Sequence, residues 1–340
     1  MAGPTSNRLV LASLRLLVRV AALFAILVAI AWVVAWLVLC QPVFSTNPRS
    51  ATKVDPAGLE RHVRMLSEEL SPRSYVNAPN LDRCAEYVAS EFQKRGATVE
   101  IQEYSLGGRR FRNVIGRFGD GRDGLWVVGA HYDAFGETPG ADDNASGVAG
   151  LIELAGLLGS VQTPPDVELV AYCLEEPPFF RSPYMGSAIH AWQLHEQRVE
   201  VRGVVVLEMI GYFDDAWMSQ DYPISLLRAL YPSRGNFIGL VGQLDQRTFV
   251  RDFKRRMKGL TNLPVHSINA PLRLAAINLS DHTNYWQYGW PALMVTDTAF
   301  YRNEAYHTDG DTWDRLDYRR MADVVTMVFG ALVSDKPVRR

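Results

Sequence analysis

Apolar residues recur along this chain in two rhythms, one that suits strands and one that suits helices. From Val20 to Cys40 the run VAALFAILVAIAWVVAWLVLC carries no charge and is long enough to cross a bilayer as one helix. Residues 41–54 are rich in Pro, Ser, Thr and Asn and read as a linker. Asp55 and Pro56 then open a helix, with Leu59, Val63, Leu66 and Leu70 at helical spacing. A second helix fits Asn80 to Arg95, its stripe made by Leu81, Cys84, Val88 and Phe92. Strand patterns follow at 98–104 and 111–117, and LWVVGA at 125–130 is the continuous apolar run of a strand buried on both faces. Beyond it the pattern alternates. A helix at about 147–159 leads to the strand VELVAYCL, then a helix near 186–197 and the strand VVVL at 204–207. A further strand, PALMV at 291–295, precedes a closing helix at about 318–333. Residues 212–280 carry the weakest pattern and read as mixed helix and loop.

This alternation predicts an α/β fold: a single three-layer domain on a mixed, largely parallel central sheet, preceded by one transmembrane helix. The expected divisions are a basic tail at 1–19, an anchor at 20–40, a linker at 41–54, a catalytic domain at 55–333 and a tail at 334–340.

Charge adds a direction. Arg8, Arg15 and Arg19 precede the apolar run, and no basic residue follows it until Arg49. That asymmetry places the N-terminus in the cytoplasm and the larger part outside it. A cleaved signal peptide and a lipid-modified Cys40 are the competing readings. Trp32, Trp36, Leu37, Val38 and Leu39 are bulkier than the small residues either would want, so an uncleaved anchor is favoured. The net charge of −2 gives no basic footprint for nucleic acid. Three cysteines, Cys40, Cys84 and Cys173, are too few for a disulfide framework and include no CxxC metal spacing.

The chemistry-bearing residues sit where the predicted strands end. LWVVGA runs into His131, Tyr132 and Asp133; VELVAYCL into Glu175 and Glu176; VVVL into Glu208. PALMV leads to a loop with His307, and Asp143 lies in GADDNASG just ahead of a helix. In open α/β sheets ligands bind at the carboxyl ends of the strands. Taken singly, each residue has a plain structural role: a loop histidine, a solvated turn, a helix cap. Glu208 resists that treatment, because a carboxylate inside the apolar VVVLEMIGY needs a partner or a metal.

The motifs GAHYDA, PGADDNASGVA, LEE followed by GS, VVVLEMIGY, SDH followed by GWPALM, and YHTDGDT resemble the co-catalytic di-zinc aminopeptidases. That wider group also contains glutaminyl cyclases and the transferrin receptor ectodomain. The resemblance spans roughly residues 55–333. It implies two Zn2+ ions, with His131, Asp143 as bridge, Glu176, Glu208 and His307 as ligands. It also implies Glu175 as general base, Asp133 as the carboxylate that orients His131, and Tyr306 as a group steadying the tetrahedral intermediate. By the same resemblance the peptide after Asp143 is expected to be cis. Chemistry supports the set independently: a two-metal hydrolytic site wants one bridging carboxylate and nitrogen and oxygen ligands on each side, with positions left for water.

Two features depart from the family pattern. The position of Glu208 is commonly Asp, and the segment PPFFRSPYM after Glu176 is longer than usual. His282 is expected to be structural or supporting rather than a ligand. The expected function is therefore a metal-dependent aminopeptidase acting on peptide substrates, attached to a membrane through its N-terminal helix. A glutaminyl cyclase-like acyltransferase is the alternative on the same scaffold, and a non-catalytic ectodomain is a third. The Asp-Asn pair in GADDNASG sides with the peptidase, and retention of all five ligand types argues against a silent ectodomain.

Overall fold

In the middle of the chain, successive side chains of LWVVGAH alternate between two apolar layers, and this alternation builds the molecule. The computed structural model describes residues 4–44, 47–121, 124–272 and 277–335. Its chain falls into two units, Met1–Pro42 and Val43–Arg340.

The first unit is one long helix, α1 (Pro4–Ala35), continued by a turn at Trp36–Cys40. It begins well before Val20, because the segment ahead of the uncharged run is also free of helix breakers. Leu11–Cys40 is 30 residues long and apolar enough to span a membrane. At 1.5 Å per residue that is about 45 Å, against a hydrocarbon core of about 30 Å. Length and apolarity serve an anchor and a signal sequence alike.

The second unit is a three-layer α/β domain. Eight strands form its sheet: β1 (Thr98–Leu106), β2 (Arg109–Phe118), β3 (Leu125–His131), β4 (Val167–Tyr172), β5 (Val201–Leu207), β6 (Ile238–Gln243), β7 (Val265–Ala270) and β8 (Ala292–Thr296). They lie in the order β1-β2-β4-β3-β5-β8-β6-β7. The pairs β3/β4, β3/β5, β5/β8 and β6/β7 are parallel and the other three antiparallel. The sheet is thus mixed and mostly parallel.

Val128, Leu169, Val205 and Val295 point to one face. There they meet α2 (Pro56–Arg64), α3 (Ala78–Lys94), α4 (Gly147–Gly159), α6 (Arg247–Met257) and α8 (Tyr318–Val333). Val127, Val170, Val204 and Val206 point to the other, against α5 (Gly186–Glu196) and α7 (Thr283–Trp286). Central strands covered on both faces are apolar at nearly every position, which is why their sequences read as apolar runs; the exception, Glu168 in β4, is buried against Arg117 and His190 at 2.8 and 3.0 Å. Helix starts follow local chemistry. Asp55 caps α2 by accepting from the Ala57 N–H at 3.1 Å, and Leu59, Val63 and Leu66 are fully buried.

The reading of 212–280 as mixed helix and loop needs correction, because this stretch supplies α6 and two strands, β6 and β7. IGLVGQ holds two glycines, which weaken a strand pattern, and VHSINA alternates with polar residues because β7 is the edge of the sheet.

Candidate metal centre

Four parallel strands, β4, β3, β5 and β8, end side by side, and the predicted site residues gather at that edge. His131 is the last residue of β3 and is completely buried. Its Nδ1–H donates to the main-chain oxygen of Asp133 at 3.1 Å, which leaves Nε2 as the free lone pair. That nitrogen lies 3.3 Å from Asp143 Oδ1, 3.5 Å from Glu208 Oε2 and 3.9 Å from Glu175 Oε2. His307 Nε2 lies 3.1 Å from Asp143 Oδ2 and 3.3 Å from Glu176 Oε2. Asp143 therefore turns one oxygen to each histidine.

Local backbone geometry makes this convergence possible. Asp143 and Asn144 leave helical angles just before α4, and the peptide joining them is cis. Leu174, Met209 and His307 all have positive φ, between 51° and 64°, at or beside a site carboxylate or imidazole. Left-handed backbone at non-glycine residues is uncommon, and its concentration here is typical of functional sites. The His307 ring is held between Phe135 and Tyr306, with centroids 4.1 and 3.8 Å away.

A ring of supporting groups fixes the carboxylates. Asp133 accepts the backbone N–H of Glu175 at 3.1 Å on one oxygen and that of Glu176 at 3.0 Å on the other. Its carboxylate thus sets the Glu-Glu turn and lies 3.5 Å from His131 Nδ1, whereas the hydrogen bond that orients His131, expected from that carboxylate, goes to the Asp133 main-chain oxygen. Glu208 accepts from Ser280 Oγ at 2.6 Å and from the Asn144 amide at 3.3 Å. Asn144 also donates to Leu207 O at 2.9 Å and accepts from the Met209 N–H at 3.1 Å, so it pins the end of β5.

Three supporting residues were not singled out from the sequence. Asp311, in the YHTDGDT motif, accepts the N–H groups of Asp142 and Asp143 at 2.9 and 3.1 Å. Ser280 lies in the SDH motif that was noted only for His282. Arg73 is fully buried and donates to the main-chain oxygens of Tyr132, Leu66, Pro139 and Gly140 at 2.6–2.9 Å. Because Arg73 and Asp311 act on backbone groups, no side-chain pattern announces them. His282 has a packing role: its Nε2–H donates to Ile277 O at 2.8 Å and its ring meets Trp286 edge-on.

The electrostatics call for positive charge. Burial opposes a proton on His131, yet Glu208 and Glu175 beside it push its pKa well above the ordinary value. His307 is pushed up to about 9 by Asp143 and Glu176 against the same burial. Burial raises Glu175 well above the carboxylate range, helped by Glu208 and Asp281, and raises Glu176 to about 7, helped by Asp143. A divalent cation satisfies these same atoms without a proton. The orphaned atoms agree: His131 Nε2, His307 Nε2 and Glu176 Oε1 are buried and make no hydrogen bond among the described residues. Two groups, His131–Asp143–Glu208 and Asp143–Glu176–His307, each gather ligand atoms within 4.8 Å of one another. Each offers one imidazole and two carboxylates, a donor set suited to zinc, and Asp143 belongs to both.

A mixed, mostly parallel sheet with such donors at its carboxyl edge defines a metal-dependent hydrolase of the α/β class. The chain belongs to peptidase family M28, whose family model matches residues 113–332, and it is accordingly a hydrolase acting on peptides. It is 43% identical over 322 residues to the Escherichia coli (strain K12) protein YfbL, covering 92% of this chain and 99% of that one. It is 26% identical over 265 residues to Leucine aminopeptidase 1 of Ajellomyces capsulatus (strain NAm1 / WU24). That match covers 72% of this chain and 60% of the fungal protein. Among solved structures, the LapA aminopeptidase of Legionella pneumophila superposes with a TM-score of 0.66 at 21% identity, covering 82% of this chain and 71% of that one. A glutaminyl cyclase from Bacteroides thetaiotaomicron superposes with a TM-score of 0.63 at 18% identity, covering 84% and 100%. At these identities the two structures establish the fold they share with this chain.

Proposed function

We propose that this protein is a two-zinc aminopeptidase, with His131, Asp143 and Glu208 holding one ion and Asp143, Glu176 and His307 the other. The observation that carries this reading is Asp143, which turns one carboxylate oxygen toward each histidine. When bound, the ions supply Lewis acidity and lower the pKa of the attacking water. The remaining work falls to the protein. Glu175 is buried at the same edge, its Oε2 3.9 Å from His131 Nε2, and would take the water's proton and hand it to the leaving amine. The Tyr306 hydroxyl, kept protonated because burial and the surrounding carboxylates raise its pKa, donates to the scissile carbonyl oxygen as charge gathers there. Asp133 holds the Glu175–Glu176 turn and, through its main-chain oxygen, the tautomer of His131.

An apolar cleft opens beside Glu208 and Tyr306 and receives the side chain of the first residue of the peptide. The N-terminal helix is read as an uncleaved anchor, with Arg8, Arg15 and Arg19 retained in the cytoplasm and the catalytic unit outside it. The deciding experiment measures zinc per chain together with hydrolysis of aminoacyl 4-nitroanilides, before and after dialysis against a chelator. Two zincs per chain are expected, with activity lost on chelation and restored by zinc. Full activity in the metal-free protein, or cyclisation of glutaminyl peptides without hydrolysis, overturns the assignment.

A further inference from the structure

The cleft beside Glu208 runs away from the metal centre across the last strands of the sheet. Its volume is about 110 Å³, with Phe237, Val241, Met294 and Phe300 among its apolar walls. The strand register describes its path. Leu207 pairs with Val295, which brings Glu208 level with Thr296; Thr296 pairs with Gly239, and Gly239 with His266. His266 therefore stands in the cross-sheet row of Glu208, three strands away, or about 14 Å at roughly 4.8 Å per strand.

Directly paired residues show their side chains on the same face. At the middle of this row Gly239 has none. A Cβ there would sit 3.2 Å from the Thr296 carbonyl oxygen and narrow the floor of the cleft.

Most polar groups of the far half are already committed. The Tyr222 hydroxyl donates to Pro232 O, the Tyr231 hydroxyl to Ser267 O and the Gln220 amide to Thr298 Oγ1. Ser267 Oγ accepts from Lys254. His266 lines the cleft with no hydrogen bond on its ring among the described residues, and the ring meets Phe237 edge-on at 5.0 Å between centroids. Burial, with Lys254 and Lys258 nearby, pushes its pKa down to about 4. The imidazole is neutral at pH 7 and offers one donor and one acceptor.

We propose that His266 is a specificity-determining residue whose free ring nitrogen meets the hydroxyl of an N-terminal tyrosine, so that tyrosyl peptides are preferred over phenylalanyl ones. The proposal rests on the aminopeptidase reading above. An aromatic ring suits the middle of the cleft, which Phe237, Val241, Met294 and Phe300 line with apolar and aromatic surface. A phenylalanine would cover the imidazole without pairing it, and a lysine or arginine would bring its charge toward Lys254 and Lys258. Small residues would leave the cleft unfilled.

The test compares zinc-loaded, full-length wild type with His266→Phe and Gly239→Val, using tyrosyl and phenylalanyl 4-nitroanilides and calorimetric binding of tyrosinol and phenylalaninol. One neutral hydrogen bond predicts a three- to tenfold higher kcat/KM for tyrosyl over phenylalanyl substrate in the wild type. The ratio should fall to about one in His266→Phe, whereas Gly239→Val should weaken both aromatic substrates together. Equal treatment of the two substrates by the wild type, or an undiminished ratio in His266→Phe, overturns the proposal. If nothing is hydrolysed, the peptidase reading fails separately, and the alcohols decide: tyrosinol must bind more tightly than phenylalaninol, and only while His266 is present. Equal or absent binding of the two alcohols refutes the role of His266.

Discussion

Asp133→Asn is the most searching single substitution, because it keeps shape and removes charge from the residue that ties both halves of the site together. In the native protein its two oxygens accept the N–H groups of Glu175 and Glu176 at 3.1 and 3.0 Å, in a place that is 2% exposed. An asparagine retains one acceptor and must turn its amide N–H₂ toward the other N–H. A hydrogen bond to a charged group contributes about 1.5–3 kcal/mol and a neutral one about 1. Losing one bond and weakening the other costs roughly 2–4 kcal/mol. Part of that cost falls on the native state and part on metal binding, since Glu176 is no longer held at its place in the turn. Supporting groups of this kind typically alter affinity 10–100-fold. Chelator-competition titration should show zinc held 10–100-fold more weakly, and thermal unfolding of the metal-free form should show the remaining loss. An Asp133→Asn protein with zinc affinity within twofold of wild type and unchanged turnover would refute the argument.

The adjacent glutamates should separate by phenotype: Glu175→Gln keeps its metal but loses roughly two to four orders of magnitude in kcat, whereas Glu176→Gln loses metal and activity together. Metal content measured beside steady-state rates checks both, and the reverse pattern exchanges their roles. The stability that His266 and His282 contribute should fall as pH drops from about 6.5 toward 4, against the buried carboxyls, whose raised pKa values act in the opposite direction. His266 and His282 are both held down to about 4 by burial, so below 6.5 the unfolded chain takes up protons that the native state refuses. Each contributes at most about 1.4 kcal/mol per pH unit over that window. His266→Phe should therefore show a shallower decline of Tm between pH 6.5 and 4.5 than wild type, and an identical decline removes His266 from the explanation.

Legibility in the sequence followed the physics of burial. β3, β4 and β5 could be read because strands covered on both faces are apolar at most positions. The residues that break those runs, His131, Glu175, Glu176 and Glu208, stand out against them for the same reason. Glu208 was conspicuous as a carboxylate in an apolar segment, and it proves to be buried between Ser280, Asn144 and His131. β6 and β7 were hidden by the opposite circumstance, since Gly239 and Gly242 blur one pattern and an edge position dilutes the other. These strands form part of the cleft wall, so the shape that governs side-chain preference was also out of reach. Arg73 and Asp311 stayed invisible because both hold main-chain atoms, whose partners depend on tertiary folding.

Arg73 bears on how the site comes into being. Its guanidinium gathers the carbonyls of Leu66, Tyr132, Pro139 and Gly140, and so joins the end of the helical segment beyond α2 to both sides of the connection between His131 and Asp143. Four bonds from one rigid guanidinium fix the spacing between the backbone that follows His131 and the backbone that precedes Asp143, so the two are held in place by the fold and not by their own side chains. The same cation stands among Asp133, Asp143 and Asp311, where it offsets part of their mutual repulsion.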